Sequence, residues 1–127
     1  MNRLDHIGVF VRSIEAASQI YARFGVSVDR IVELPTAAGR SVRIAFLPLS
    51  GGVDLELIEA PAALDNGVEP LNHLCFEVPD IEAELRSLKN DGVPLEFDTP
   101  RPGAAARLIA FLDRAAAAGV RIEIAEK

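Results

Sequence analysis

Apolar and polar residues alternate along LDHIGVFV, residues 4–11. Ile7, Val9 and Val11 fall on one side of an extended strand; His6, Gly8 and Phe10 fall on the other. The period then changes. Ile14, Ala17, Ile20, Tyr21 and Phe24 recur at helical spacing behind Ser13, whose hydroxyl suits an N-cap, and Gly25 closes the segment. The same switch recurs later. Leu74, Phe76 and Val78 alternate with His73, Cys75 and Glu77, and Asp80 caps a helix carrying Ile81, Leu85 and Leu88 that ends at Gly92. Further strands are expected over 26–33, 41–47 and 53–59, and over 94–97, 108–112 and 120–125. Ala115–Ala118 reads as a short turn or helical connection.

Each half therefore reads β-α-β-β-β, and the two halves superpose on one another in sequence. At an offset of 67, residues 4–30 lie over residues 71–97 without a gap and with eight identities. GGVDLELIE (51–59) lies over AGVRIEIAE (118–126) at the same offset. A fixed period in register at both ends is the signature of a duplicated unit. The expectation is an α+β chain of two tandem β-α-β-β-β modules whose curved sheets form a metal-binding cleft. Module 1 covers about 1–60 and module 2 about 71–127, within one domain of residues 1–127; the junction 60–70 is rich in Pro, Asn, Asp and Gly.

The repeat gives the polar residues their meaning. The chain has two histidines, His6 and His73, and they are 67 residues apart, as are Glu56 and Glu123. Leu55 and Leu57, or Ile122 and Ile124, take the buried side of the last strand in each module. Glu56 and Glu123 take the other side, as do the histidines on the first strands. A lone strand histidine is more often structural than a ligand. Four matched residues on the faces away from the helices point instead to a His/Glu/His/Glu metal site. Arg43 and Arg101 could meet an anionic substrate, with surface solvation as the plainer reading of each. Cys75 reads as packing.

Composition narrows the rest. Half of the 127 residues are apolar, enough for a real core, and no run of 18 apolar residues offers a membrane span. The net charge of −6 with no basic cluster argues against a nucleic-acid partner. No basic stretch leads into an apolar run at the start, so no secretory signal is expected. The single Cys75 has no internal disulfide partner, which fits a reducing cytoplasm.

A paired β-α-β-β-β module with His on the first strand and Glu on the last resembles the vicinal oxygen chelate (glyoxalase/bleomycin resistance/dioxygenase) superfamily. LDHIGVFVRSIEAA, VRIAFLPL, DLELIEAP, LNHLCFEVPDIEAEL, PRPGAAARLIAFL and GVRIEI are most similar to the methylmalonyl-CoA epimerases of that superfamily. The resemblance implies that His6, Glu56, His73 and Glu123 hold a divalent metal ion (Co, Mn, Ni or Zn). It implies a small-molecule substrate, an acyl-CoA, and a homodimer. It implies a metal-dependent isomerase that works through an enolate. Such a reaction needs a base on each face of the enolate; with Gly39 where the acid would be, Glu123 is the first candidate and Glu56, its counterpart in the repeat, the second, with Glu33 and Glu77 as further options. One departure stands out: Gly39 occupies the place where these epimerases carry a second acid. Two other readings keep the same frame, a glyoxalase-I-like lyase and a non-catalytic small-molecule-binding or resistance protein.

Overall fold

The computed structural model describes residues 3–36 and 39–127. They fall into two compact units: one within residues 6–72, and one of residues 73–127 together with residues 3–5. The division falls at Asn72/His73, just beyond the junction expected at 60–70. That junction carries a short helix of its own.

In the first unit the strand β1 (Leu4–Val11) leads to the helix α1 (Ile14–Ala22). The strands β2 (Arg30–Pro35), β3 (Ser41–Pro48) and β4 (Asp54–Glu59) follow, then the helix α2 (Pro61–Asp65). The sheet order is β2-β3-β4-β1, antiparallel except where β1 runs parallel to β4. The second unit repeats the plan with β5 (Leu71–Val78), α3 (Ile81–Asn90), β6 (Arg101–Pro102), β7 (Leu108–Phe111), a turn of 3₁₀ helix at Arg114–Ala117 and β8 (Arg121–Glu126). Its order is β5-β8-β7-β6, again with one parallel pair, β5 and β8. The α+β class and the two β-α-β-β-β modules are as the periodicity predicts. No helix among the described residues is long and apolar enough to cross a membrane.

Each unit has its own core, made by laying the helix on one sheet face. Ile14 of α1 packs with Ala45, Leu47, Leu55 and Leu57, and Ile7, Val9, Val11, Ala17 and Tyr21 close around them. Ile81 and Leu85 of α3 pack with Val78, Ala110 and Ile124. The caps are the expected ones: Ser13 Oγ accepts from Ala16 N–H, and Asp80 Oδ1 accepts from Ala83 N–H. Gly25 and Gly92 end the helical segments at φ of 76° and 73°, in the left-handed region where a side chain would be strained.

Several expectations need correction. Ile20 and Phe24 do not join the core; they are 59% and 76% exposed. The helix stops at Ala22, before Phe24. Ile20, six residues after Ile14, lies about 240° round from it at 100° per residue, off the buried face. Residues 26–29 are irregular, and β2 begins only at Arg30. The strand expected over 94–97 reduces to a single bridge, Leu95 with Leu112; Arg101–Pro102 pairs with β7 in its stead. Pro94 has no N–H to give a ladder. Leu95 and Phe97 still pack on the core.

A second glutamate pair organises the modules. Glu59 Oε2 accepts from the N–H of Ile14, and Glu126 Oε2 accepts from the N–H of Ile81, each at 3.0 Å. The last strand of each module thus satisfies an N–H that the first turn of its helix leaves open. In the first module Arg43 joins the arrangement, bonding Glu15 at 2.7 Å and Glu59 at 3.2 Å. The Arg43 hydrogen bond and Glu15's own backbone hold the Glu15 carboxyl below its ordinary value of 4.5, while the two carboxylates push Arg43 higher still.

Two outcomes follow for stability. Replacing the fully buried Leu57 by Ala should cost about 2–5 kcal/mol in denaturant unfolding, through lost burial and the cavity left behind. A carboxyl lowered by folding stabilises above its unfolded value and loses that effect as pH falls through the folded one. Glu15→Gln should therefore lower the melting temperature slightly at neutral pH. The gap should persist down to about pH 4.5 and close below it.

Candidate metal centre

Glu56 sits in mid-β4 between Leu55 and Leu57, which face α1, so its side chain takes the face away from the helix. On that face its register partners are Gly8 on β1 and Phe46 on β3. His6 stands two residues before Gly8, hence on the same face and diagonal to Glu56. Gly8 has no side chain to fill the space between, and the diagonal closes. His6 Nδ1 lies 2.9 Å from Glu56 Oε2, with both residues buried.

The second unit builds the same pair. Glu123 of β8 has Cys75 and Phe111 as register partners. His73 stands two residues before Cys75, and its Nε2 lies 3.0 Å from Glu123 Oε1. Cys75 is small and fully buried, as a packing role requires. The two imidazoles meet their carboxylates through different ring nitrogens. His6, Glu56, His73 and Glu123 are each between 4% and 6% exposed, so each carboxylate has exchanged water for its histidine.

Such a pair is suited to a cation. Buried carboxylates need positive charge beside them, and imidazole nitrogen with carboxylate oxygen is a donor set that borderline divalent metals accept. At 2.9 Å and 3.0 Å each imidazole nitrogen is within hydrogen-bond distance of its carboxylate, close enough for both atoms of a pair to be ligands of one ion.

The other expected site residues lie elsewhere. Arg43 shares a strand side with Ala45 and Leu47, on the helix-facing side, and its guanidinium is held by Glu15 and Glu59. Glu33, opposite Arg43, takes the same side and accepts from Ser41 Oγ. Arg101 is on β6, two strands beyond Glu123, with its guanidinium carbon 3.6 Å from the centre of the Phe97 ring. Glu77 lies 3.6 Å from Arg107 and 3.7 Å from Arg3. Burial alone would lower Arg107, but Asp5 overrides it and its guanidinium is held more firmly protonated than usual. The structure thus brings together His6 with Glu56 and His73 with Glu123, and holds Arg43, Arg101, Glu33 and Glu77 in other contacts.

Sequence reasoning missed two features of these strands, one on the helix side and one beside the His–Glu pairs. The Glu59/Glu126 pair was visible, since both close the aligned strings GGVDLELIE and AGVRIEIAE. The phenylalanines beside the glutamates carried no such signal. Phe46 and Phe111 are 65 residues apart, two short of the repeat offset.

Comparison with known proteins places the chain in a family. Residues 5–111 match the Glyoxalase/Bleomycin resistance protein/Dioxygenase superfamily. Uncharacterized protein YqjC of Bacillus subtilis is 34% identical over 99% of this chain and 93% of its own length. The crystal structure of a hypothetical protein from Bacillus halodurans C-125 is 32% identical, covers 99% of this chain and 94% of its own, and superposes with a TM-score of 0.90. A Streptomyces coelicolor methylmalonyl-CoA epimerase variant in complex with 2-nitronate-propionyl-CoA is 27% identical, covers 100% and 95%, and has a TM-score of 0.81. With that match over residues 5–111 and that relative, the chain belongs to the Glyoxalase/Bleomycin resistance protein/Dioxygenase superfamily.

Proposed function

We propose that the protein is a divalent-metal-dependent isomerase of an acyl-CoA, an epimerase of methylmalonyl-CoA or a close analogue. The observation that carries this reading is the buried His–Glu pair made twice, His6 with Glu56 and His73 with Glu123. In this reading the His–Glu pairs supply the ligands of a divalent ion. When bound, such an ion supplies Lewis-acid stabilisation of the negative charge that develops on a substrate's carbonyl oxygens. The likeness to an epimerase that binds 2-nitronate-propionyl-CoA supports the substrate class.

The chain's own part is to move the proton. Epimerisation removes the hydrogen beside the thioester carbonyl and returns one to the opposite face, so it needs an acceptor and a donor. Glu123 is the first choice for acceptor, with Glu56, its counterpart in the repeat, as the partner. Each is a buried carboxylate whose neighbouring imidazole fixes its direction. Glu33 and Glu77 are weaker choices. Glu33 faces the helix side, and Glu77 is engaged by two arginines.

One observation favours a second reading. Gly39, in the place of the second acid of the epimerases, has no side chain, and its φ of 74° disfavours any residue that would supply one. A binding protein that keeps the fold without turnover would need no acid there.

Two measurements separate these readings. After reconstitution with cobalt, about one ion per chain should remain through gel filtration, and His6→Ala and Glu123→Ala should each abolish retention. In heavy water, the cobalt-loaded protein should exchange the α-hydrogen of methylmalonyl-CoA for deuterium. Glu123→Gln, with its cobalt content measured alongside, should slow exchange per bound ion by a factor of roughly 100 or more, the range a positioned acid–base group contributes. Tight binding of the thioester without exchange would select the binding reading. Turnover of the methylglyoxal–glutathione hemithioacetal in place of exchange would select the lyase.

A further inference from the structure

Phe111 forms a wall of the His73–Glu123 pair. It stands opposite Glu123 in the β7–β8 register and is 8% exposed. Its ring meets the His73 imidazole edge-on, with centroids 5.3 Å apart and planes at 88°. The ring is held from other sides as well. The Arg121 guanidinium carbon lies 3.6 Å from its centre, and Arg121 is itself tied to Glu96 at 2.7 Å. Phe97 packs against it at 5.7 Å. The first module arrives at a similar arrangement. Phe46, opposite Glu56 and 3% exposed, lies under Arg30 at 4.2 Å. The two arginines are not repeat counterparts, because Arg30 aligns with Phe97, and Arg121 aligns with Asp54. Each half has thus put a guanidinium-covered phenylalanine beside its glutamate by a separate route.

A strand histidine has two soft side-chain torsions, so the direction of its ring nitrogens depends on its surroundings. Glu123 Oε1, 3.0 Å away, sets the direction of Nε2. A perpendicular aromatic neighbour fixes the plane of the ring, because edge-on and stacked geometries differ in energy. We propose that Phe111 is a positioning residue: it holds the His73 imidazole in the plane from which Nε2 meets a metal ion beside Glu123. Phe111 supplies no ligand atom. This inference rests on the metal-binding reading above.

The test is cobalt(II) titration of the metal-free protein, followed by visible absorption and by competition with a chelator. Phe111→Leu should bind cobalt roughly three- to tenfold more weakly than the parent, the size an aromatic pair contributes. Phe111→Tyr, which keeps the ring, should restore affinity to within about twofold. A residue that only filled the core would lower the melting temperature and leave cobalt affinity unchanged, and that result overturns the inference. Should Phe111→Leu fail to fold, Phe111→Met keeps most of the buried volume without the ring and decides the question in the same way. A parent that binds no cobalt would remove the metal reading and this inference together. A parent that binds cobalt no more tightly than Phe111→Leu would remove the inference alone.

Discussion

A buried carboxylate must have a partner, and in this chain that requirement fixes most of what surrounds Glu56 and Glu123. Stranding either without compensation would cost several kcal/mol. Each is therefore set beside an imidazole, and the imidazole can reach only because the strand position between them is small, Gly8 in one module and Cys75 in the other. That in turn demands a parallel first and last strand in one register, since a slip of a single residue would send every side chain to the opposite face. The helices take the other face, where the leucines and isoleucines of the same strands are buried. Core and site are thus two sides of one constraint.

Charge elsewhere is spent on structure. Arg43 joins a helix residue, Glu15, to the last strand through Glu59, and Arg107 with Asp5 and Glu77 forms another such cluster. Arg30, Arg101 and Arg121 place their guanidinium groups over phenylalanine rings. Guanidinium groups suit both duties, being planar, weakly hydrated and permanently charged.

What could be read from the chain alone was whatever repeats or alternates. The offset that paired His6 with His73 and Glu56 with Glu123 located both halves of the candidate site, and Ser13, Asp80, Gly25 and Gly92 marked the helix ends. What could not be read depends on residues far apart in sequence. The partners of Arg43 are 28 and 16 residues away, and no local pattern announces them. Residues 94–97 look like a strand because their apolar residues are buried, yet they are buried as a bridge and a packed loop. Ile20 and Phe24 are the opposite case: both are hydrophobic at helical spacing, yet both are exposed.

The Glu59 and Glu126 caps bear on how the chain acquires this structure. Each closes a contact across 45 residues, so the first turn of either helix is completed only when the last strand of its own module arrives. Contacts of that separation slow folding, because loop closure is paid for before they form. But both loops lie inside a module. During synthesis the first can close while the second is still being made, and duplication has doubled the chain without lengthening the longest wait of this kind.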